Sequence, residues 1–312
     1  MEVKKYSYPE KLNLKNTAVA LGYFDGVHIG HRALISLLVR EARAKGLSPY
    51  IFTFADDISK SKKTQSIIYN TEEKLAIFES LGVDGVIVAD FESIKPLSPE
   101  SFVDEVLIDA LGALLAISGY NFRFGKGAVA DSKTLVDLMK RRGKSAIILD
   151  EQKIDGKSLS STAIRGLISD KKLDEATKML GLPYFTIGKV EKGLGLGKVY
   201  GFPTINTPIR ENSPLTTGVY RTAVEIDGKF YTGVTNIGSC PTVNERKIHA
   251  ETLIANFNGN LYGERIKIYF LGYLREEKRF DSVDELREQI YTDKQISIEE
   301  NGDLTWLATG LN

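Results

Sequence analysis

The sequence predicts two domains in succession: an α/β domain built on a doubly wound parallel sheet, then an antiparallel β-barrel closed by a C-terminal helix. Three observations carry this. Short apolar runs alternate with helical patterns up to residue 180. After Gly181-Leu182-Pro183 the chain changes to short β-rich runs split by Gly, Asn and Asp. Its 312 residues suffice for two cores of ordinary size, so the boundary is expected near 181–185, with domains at 1–182 and 183–312.

The elements follow in order. TAVAL (17–21) is a strand, and the helical pattern of ALISLLVREARAK follows it across the turn GYFDGVHIGH. SPYIFTF (48–54) is the next strand. TEEKLAIFESLG (71–82) reads as a helix, with Asn70 and Glu73 spaced as a capping box. DGVIVAD gives another strand, and SPESFVDEVLIDALG a helix with Ser98 at the N-cap and Pro99 at the first helical position. ALLAIS, DSKTLVDLMKRRG and SAIILD continue the alternation, which makes the sheet parallel. In the second half, Asp227-Gly228 and Asn258-Gly259 favour tight hairpins between strands of a barrel. SVDELREQIYTDKQ (282–295) closes the domain as a helix.

Composition narrows the function. Lys+Arg and Asp+Glu balance at 41 each, which argues against a nucleic-acid partner. The single cysteine, Cys240, excludes an internal disulfide framework or cysteine metal cluster and fits a reducing cytoplasm; a small buried residue is its simplest role. The N-terminal MEVKKYSYPEKLNLKN has no signal-peptide core, and ALGALLAI at 110–117 is far short of a membrane span. A cytoplasmic protein is expected, with small-molecule substrates and no nucleic-acid, membrane or obligate protein partner.

FDGVHIGH (24–31) lies between the first strand and the first helix, where α/β sheets bind ligands. It holds two of the chain's three histidines, His28 and His31. Helix N-termini attract anions, Gly30 permits close approach of a nucleotide, and the imidazoles can donate hydrogen bonds to phosphate oxygens. HIGH is also the signature of one class of aminoacyl-tRNA synthetases, which pair it with a Lys-Met-Ser-Lys-Ser loop. Ile-Ser-Lys-Ser-Lys at 58–62 imitates that loop, but the real one stands at the far end of the catalytic fold, and the synthetase reading fails. ISKSKKTQ reads instead as a mobile, solvated basic loop. Ser160, Ser161 and Thr162 at a helix start can cap it and hold an anion, with Arg165 one turn on.

In the second domain GLGLGKV (193–199) has neither P-loop spacing nor the dinucleotide glycine pattern, and reads as a lid over phosphates. Thr204 and Asn206, two apart on a strand, present hard oxygens on one side, suited to Mg²⁺. Glu251 alternates along a strand like an ordinary solvated residue.

Taken in order, LGYFDGVHIGH, GYNFRFGKG, LSSTAIR, GKVYGFPTIN, GVY, NIGSCPT, LYG and REEKRFDS resemble the bacterial bifunctional FAD synthetases over nearly the whole chain. The resemblance implies a nucleotidyltransferase-like, Rossmann-like FMN adenylyltransferase domain and a riboflavin kinase barrel. Riboflavin and ATP would give FMN, and FMN and ATP would give FAD and pyrophosphate, with Mg²⁺. In the first domain it implies that Gly22, Phe24, Asp25 and Gly30 form the nucleotide turn and that His28 and His31 hold the triphosphate. Ser160, Ser161, Thr162 and Arg165 would grip the β- and γ-phosphates, and Asn121 would stand near the reacting groups. Phe122 and Phe124 would pack the flavin, although alternating aromatics are as often core. In the second it implies a lid with Gly193, Gly197 and Lys198, a metal held by Thr204 and Asn206, Glu251 as the carboxylate acting on the flavin hydroxyl, and Arg275 and Phe280 over the flavin.

The chain departs from the family pattern at three places. Ala55-Asp56-Asp57-Ile58 replaces a Pro-His-Pro-like stretch, Ala128-Val129-Ala130-Asp131 lacks a glycine, and Ile205 and Lys198 stand where Ala and Arg are commoner. An enzyme with kinase activity alone, or a flavin-binding regulator, are the alternatives these departures leave.

Overall fold

The structure, a computed structural model, describes residues 1–55, 66–154, 156–193, 197, 201–241 and 246–309, with backbone alone at 157, 239–241, 246–247 and 309. The basic loop at 58–65, Asp56, Asp57, Gly195 and Lys198 lie outside the described residues, as does the side chain of Cys240. The chain forms two compact units, Met1–Gln65 with Tyr69–Leu159, and Ser66–Ile68 with Ser160–Asn312. The change of texture at 182/183 falls inside the second unit.

In the first unit six parallel strands, β1 (Glu2–Tyr6), β2 (Thr17–Leu21), β3 (Ser48–Phe54), β4 (Gly85–Ala89), β5 (Ala113–Gly119) and β6 (Ser145–Leu149), make one sheet in the order β1-β4-β3-β2-β5-β6. β2 is buried at all five positions, as a strand covered on both faces must be. From β2 the chain runs outward to β3 and β4 and later returns on the other side to β5. The topological switch point therefore lies between β2 and β5, and the fold places a ligand crevice at their carboxyl ends.

The crossovers obey local rules. α1 (Ile29–Ala44) buries Leu34, Ile35, Leu38 and Ala42 on one stripe. α2 (Thr71–Ser80) carries the predicted capping box, Asn70 accepting from the Glu73 N–H and Glu73 from the Asn70 N–H. Ser98 caps the next segment with Pro99 at its start, as expected, but α3 (Phe102–Ala110) is wound as a π-helix. α4 (Ser132–Arg141) is capped by Asp131 and buries Leu135, Leu138 and Met139.

The second unit opens with α5 (Ser161–Ser169) and α6 (Leu173–Leu180). Strands β7 (Phe185–Lys189), β8 (Thr204–Pro208), β9 (Gly218–Ile226), β10 (Lys229–Pro241), β11 (Arg246–Ile254) and β12 (Arg265–Arg275) follow, antiparallel in the order β7-β12-β9-β10-β11-β8. A bridge from the Glu191 N–H to the Asn206 carbonyl, 2.8 Å, brings the two edge strands together and nearly closes the barrel. Inside it Thr222, Thr235 and Thr252 form a hydroxyl ladder with steps of 2.9 Å, fully buried and mutually satisfied.

Of the two predicted hairpins one forms. Asp227 (φ 49°) and Gly228 (φ 72°) make the left-handed turn between β9 and β10. Asn258-Gly259 does not, because β12 already pairs with β7 and β9 and has no edge left for β11. The chain at 255–264 is a crossing connection instead.

The final helix, α7 (Val283–Asn301), is capped by Ser282 and runs beyond the predicted 295. It packs on β9 and β10. Its buried residues are Asp293, Ser297 and Asn301, a polar stripe. Arg275 grips Asp293 at 2.7–3.1 Å, while Arg221 donates to the Asn301 side chain at 2.8 Å and Asn301 donates to the Thr222 carbonyl at 3.0 Å.

Candidate active sites

In the first unit the turn from β2 into α1 is strained. Phe24 (φ 54°) and Val27 (φ 38°) both lie in the left-handed region, which a β-branched valine rarely adopts and which clusters at functional sites. Gly22 sits under the Phe24 ring, and that ring meets Phe78 and His31 edge-on. Asp25 is buried within the turn.

The turn delivers His28 as the N-cap of α1, its Nδ1 accepting from the His31 N–H at 3.3 Å. Because that bond uses the Nδ1 lone pair, the neutral ring keeps its proton on Nε2. The two imidazoles stack at 3.7 Å between centroids, 13° from parallel. A Cβ at position 30 would lie 3.3 Å from the His28 ring, so glycine there lets the stack form. Burial lowers His28 to about 4. Burial, with His28 nearby, also holds His31 well below its usual value. Both rings are therefore neutral at pH 7. His31 Nδ1 is enclosed and has no partner among the described residues.

These histidines line a crevice with Gly30, Gly119, Asn121 and Leu159, at the carboxyl ends of β2 and β5. The helix start carries no acidic residue, so nothing in its first turn balances the positive end of the helix. Asn121 is brought in as expected. Phe124 is not: it is buried in the core against Phe102, with Phe122 stacked on it at 5.6 Å and half-buried at the core's edge. The segment after Leu159, which opens the second unit and does not line this crevice, forms the predicted cap, Ser160 Oγ accepting from the Ala163 N–H at 3.2 Å and Arg165 donating to Thr162 at 2.9 Å.

In the second unit one register row crosses five strands as Asn206, Glu251, Asn236, Val219 and Arg275. Directly paired residues point to the same face, so these side chains share the face turned away from the threonine ladder. α7 lies over that face and leaves a cavity of about 300 Å³. The cavity gathers Gly197, Thr204, Glu251, Arg275 and Phe280 from the sequence expectations. Thr204 donates to Glu251 Oε1 at 2.7 Å. Asn206 sits beside Glu251 in register, and a Cβ on Gly193 would strike its side chain at 2.3 Å. The apolar end is made by Val219, Val234 and Leu253 from the strands and Leu286 and Ile290 from α7. Lys278 reaches Gln289 at 2.5 Å and covers the Phe280 ring, tying the segment after β12 to the helix.

Sequence reading missed four polar members of this site, Asn236, Glu277, Lys278 and Asp293. Asn236 was within the quoted NIGSCPT, but only strand register shows it beside Glu251. Asp293, the partner of Arg275, is one acid among many on a charged helix, and its burial is a tertiary fact.

Two family models match the chain: FAD synthetase over residues 10–163 and riboflavin kinase over 180–299. The bifunctional riboflavin kinase/FMN adenylyltransferase of Bacillus subtilis is 34% identical over 292 residues, 90% of this chain and 92% of that protein. The protein of that name from Buchnera aphidicola is 32% identical over 92% of this chain and 94% of its own length. Among solved structures, a macrolide-efflux protein from Streptococcus pneumoniae matches with a TM-score of 0.84 and 26% identity, over 95% of this chain and 99% of that one. No helix among the described residues here is long and apolar enough to cross a membrane. On these matches, which run in order through both units, the chain belongs to the family of bifunctional riboflavin kinase/FMN adenylyltransferases.

Proposed function

We infer that this enzyme makes FAD in two steps, phosphorylating riboflavin to FMN in its second half (183–312) and adenylylating FMN in its first (1–182). What supports this reading is that each unit has a pocket of its own, lined by the paired histidines in one and by the Thr204–Glu251 couple in the other.

In the adenylyl transfer an FMN phosphate oxygen attacks the α-phosphorus of ATP and pyrophosphate leaves, with no covalent enzyme intermediate. Catalysis then rests on position and charge. His28 offers its Nε2–H and α1 its positive end to the triphosphate, while Asn121 orients the reacting groups. The half-buried Phe122 is left for the flavin.

In the kinase reaction the terminal ribityl hydroxyl attacks the γ-phosphorus of a second ATP, the bond from that phosphorus to the bridging oxygen breaks and ADP leaves, and Glu251 takes the hydroxyl proton. Thr204 fixes one carboxylate oxygen and leaves Oε2 for the substrate. Among the described residues no cluster of three or more His, Cys, Asp or Glu is placed to hold a metal. The donor set nonetheless fits Mg²⁺, because Thr204 gives its proton to Glu251 and keeps lone pairs for a cation, and Asn206 adds an amide oxygen. Bound there with the substrate's phosphates, Mg²⁺ would offset the charge of the transferring phosphoryl group.

The test is to incubate the protein with riboflavin, ATP and Mg²⁺ and separate the flavins over time. FMN should rise first and FAD follow. FMN alone, even with FMN supplied as substrate, would leave a kinase with a failed first site.

A further inference from the structure

In the kinase pocket a buried polar atom, Asn236 Oδ1, finds no hydrogen-bond partner among the described residues. Asn236 stands directly beside Glu251 in the register row. Its Nδ2 donates to Glu277 Oε1 at 3.1 Å, which fixes the orientation of the amide. Its Oδ1 is enclosed, with no donor among the described residues. Glu251 on one side and Glu277 on the other offer only acceptors, so neither can fill the need as a carboxylate. A buried acceptor without a donor is rare and costly, and a ligand hydroxyl would relieve it.

We propose that Asn236 is a substrate-contacting specificity residue, and that its Oδ1 receives a secondary hydroxyl of the polyol chain close to the one being phosphorylated. The proposal deepens the kinase reading and rests on it. Adjacent strands lie about 4.8 Å apart, so an acceptor one strand from Glu251 meets an oxygen one or two carbons along an extended polyol. The same row continues through Val219 to the apolar end of the cavity, where Leu286, Ile290 and Phe280 suit the ring system at the other end of the molecule. A polyol laid across the strands thus presents its terminal hydroxyl to Glu251, an inner hydroxyl to Asn236 and its aromatic rings to the apolar wall.

The experiment compares riboflavin with a flavin analogue that lacks the hydroxyls next to the terminal one, in the full-length wild type and in Asn236→Ala. The wild type should prefer riboflavin by about tenfold or more in kcat/KM, as expected when a buried polar group is left unpaired. The variant should phosphorylate both alike, with FAD formation from supplied FMN unchanged. The ratio does not depend on how much of a preparation is folded. Asn236→Leu, which keeps the branching and the number of side-chain heavy atoms but has no acceptor, serves if the alanine variant does not fold. A variant that keeps the wild-type preference overturns the proposal. A wild type that phosphorylates neither compound overturns the kinase reading, and the proposal with it.

Discussion

His28 and His31 stack ring on ring where neither holds charge easily. Replacing His28 or His31 by Ala should lower FAD formation from FMN by about 10²-fold or more while FMN formation from riboflavin continues, as separate assays of the two steps would show. Glu251→Gln should do the reverse, costing about 10²–10⁴-fold in FMN formation. The buried His28 also makes stability depend on pH. Its pKa is about 4 in the folded chain, against 6.5 when free. Above 6.5 both states hold a neutral ring and the difference has no effect. As pH falls below 6.5 the unfolded chain takes a proton that the folded chain refuses. Stability therefore drops toward pH 4, by at most about 1.4 kcal/mol per unit for this one group. Denaturant unfolding from pH 7 to 4 should show a shallower decline in His28→Gln than in the wild type.

At the scale of elements, the apolar periodicities and caps were legible. Asn70, Ser98 and Pro99 each mark a helix start that the structure keeps, because capping is decided within four residues. Pairing is decided at long range, and there the sequence misled or was silent. Asn258-Gly259 carries hairpin letters but joins strands that do not pair, and Glu2–Tyr6, a short charged segment, gave no sign that it would add the edge strand beside β4. The same limit hid Asn236 and Asp293 from the site. The His28–His31 pair and the Thr204–Asn206 pair were readable because their spacing alone places them on one helix start or one strand face. Asp293 belongs to this scale, since it fastens α7 to β12 through Arg275. Asp293→Ala should destabilise the second unit by about 1–3 kcal/mol and raise the KM for riboflavin more than it lowers kcat, measured by denaturant unfolding and by kinase kinetics.

At the scale of the molecule, each pocket is lined by residues of a single unit. Two sites with no shared residue should be separable in solution. A mixture of the His28→Ala and Glu251→Gln proteins, each unable to make FAD from riboflavin alone, should make it together, with FMN passing through the medium. If flavin chromatography finds no FAD in the mixture, FMN is handed on without release.

The cover of the kinase cavity is built of two unlike halves. Toward its C-terminus α7 is pinned by Arg275 to Asp293 and by Arg221 to Asn301, while toward its N-terminus Leu286 and Ile290 overhang an open space above the small apolar cluster of Val219, Val234 and Leu253. Polar pins set where the helix sits without closing the space beneath it among the described residues, so a ligand can supply the apolar contacts that this small core leaves unmade. A molecule entering the cavity then acts as an interior side chain that the gene does not encode. Heat resistance of this half of the protein becomes a property of its substrate supply, rising with the logarithm of ligand concentration once the site is filled.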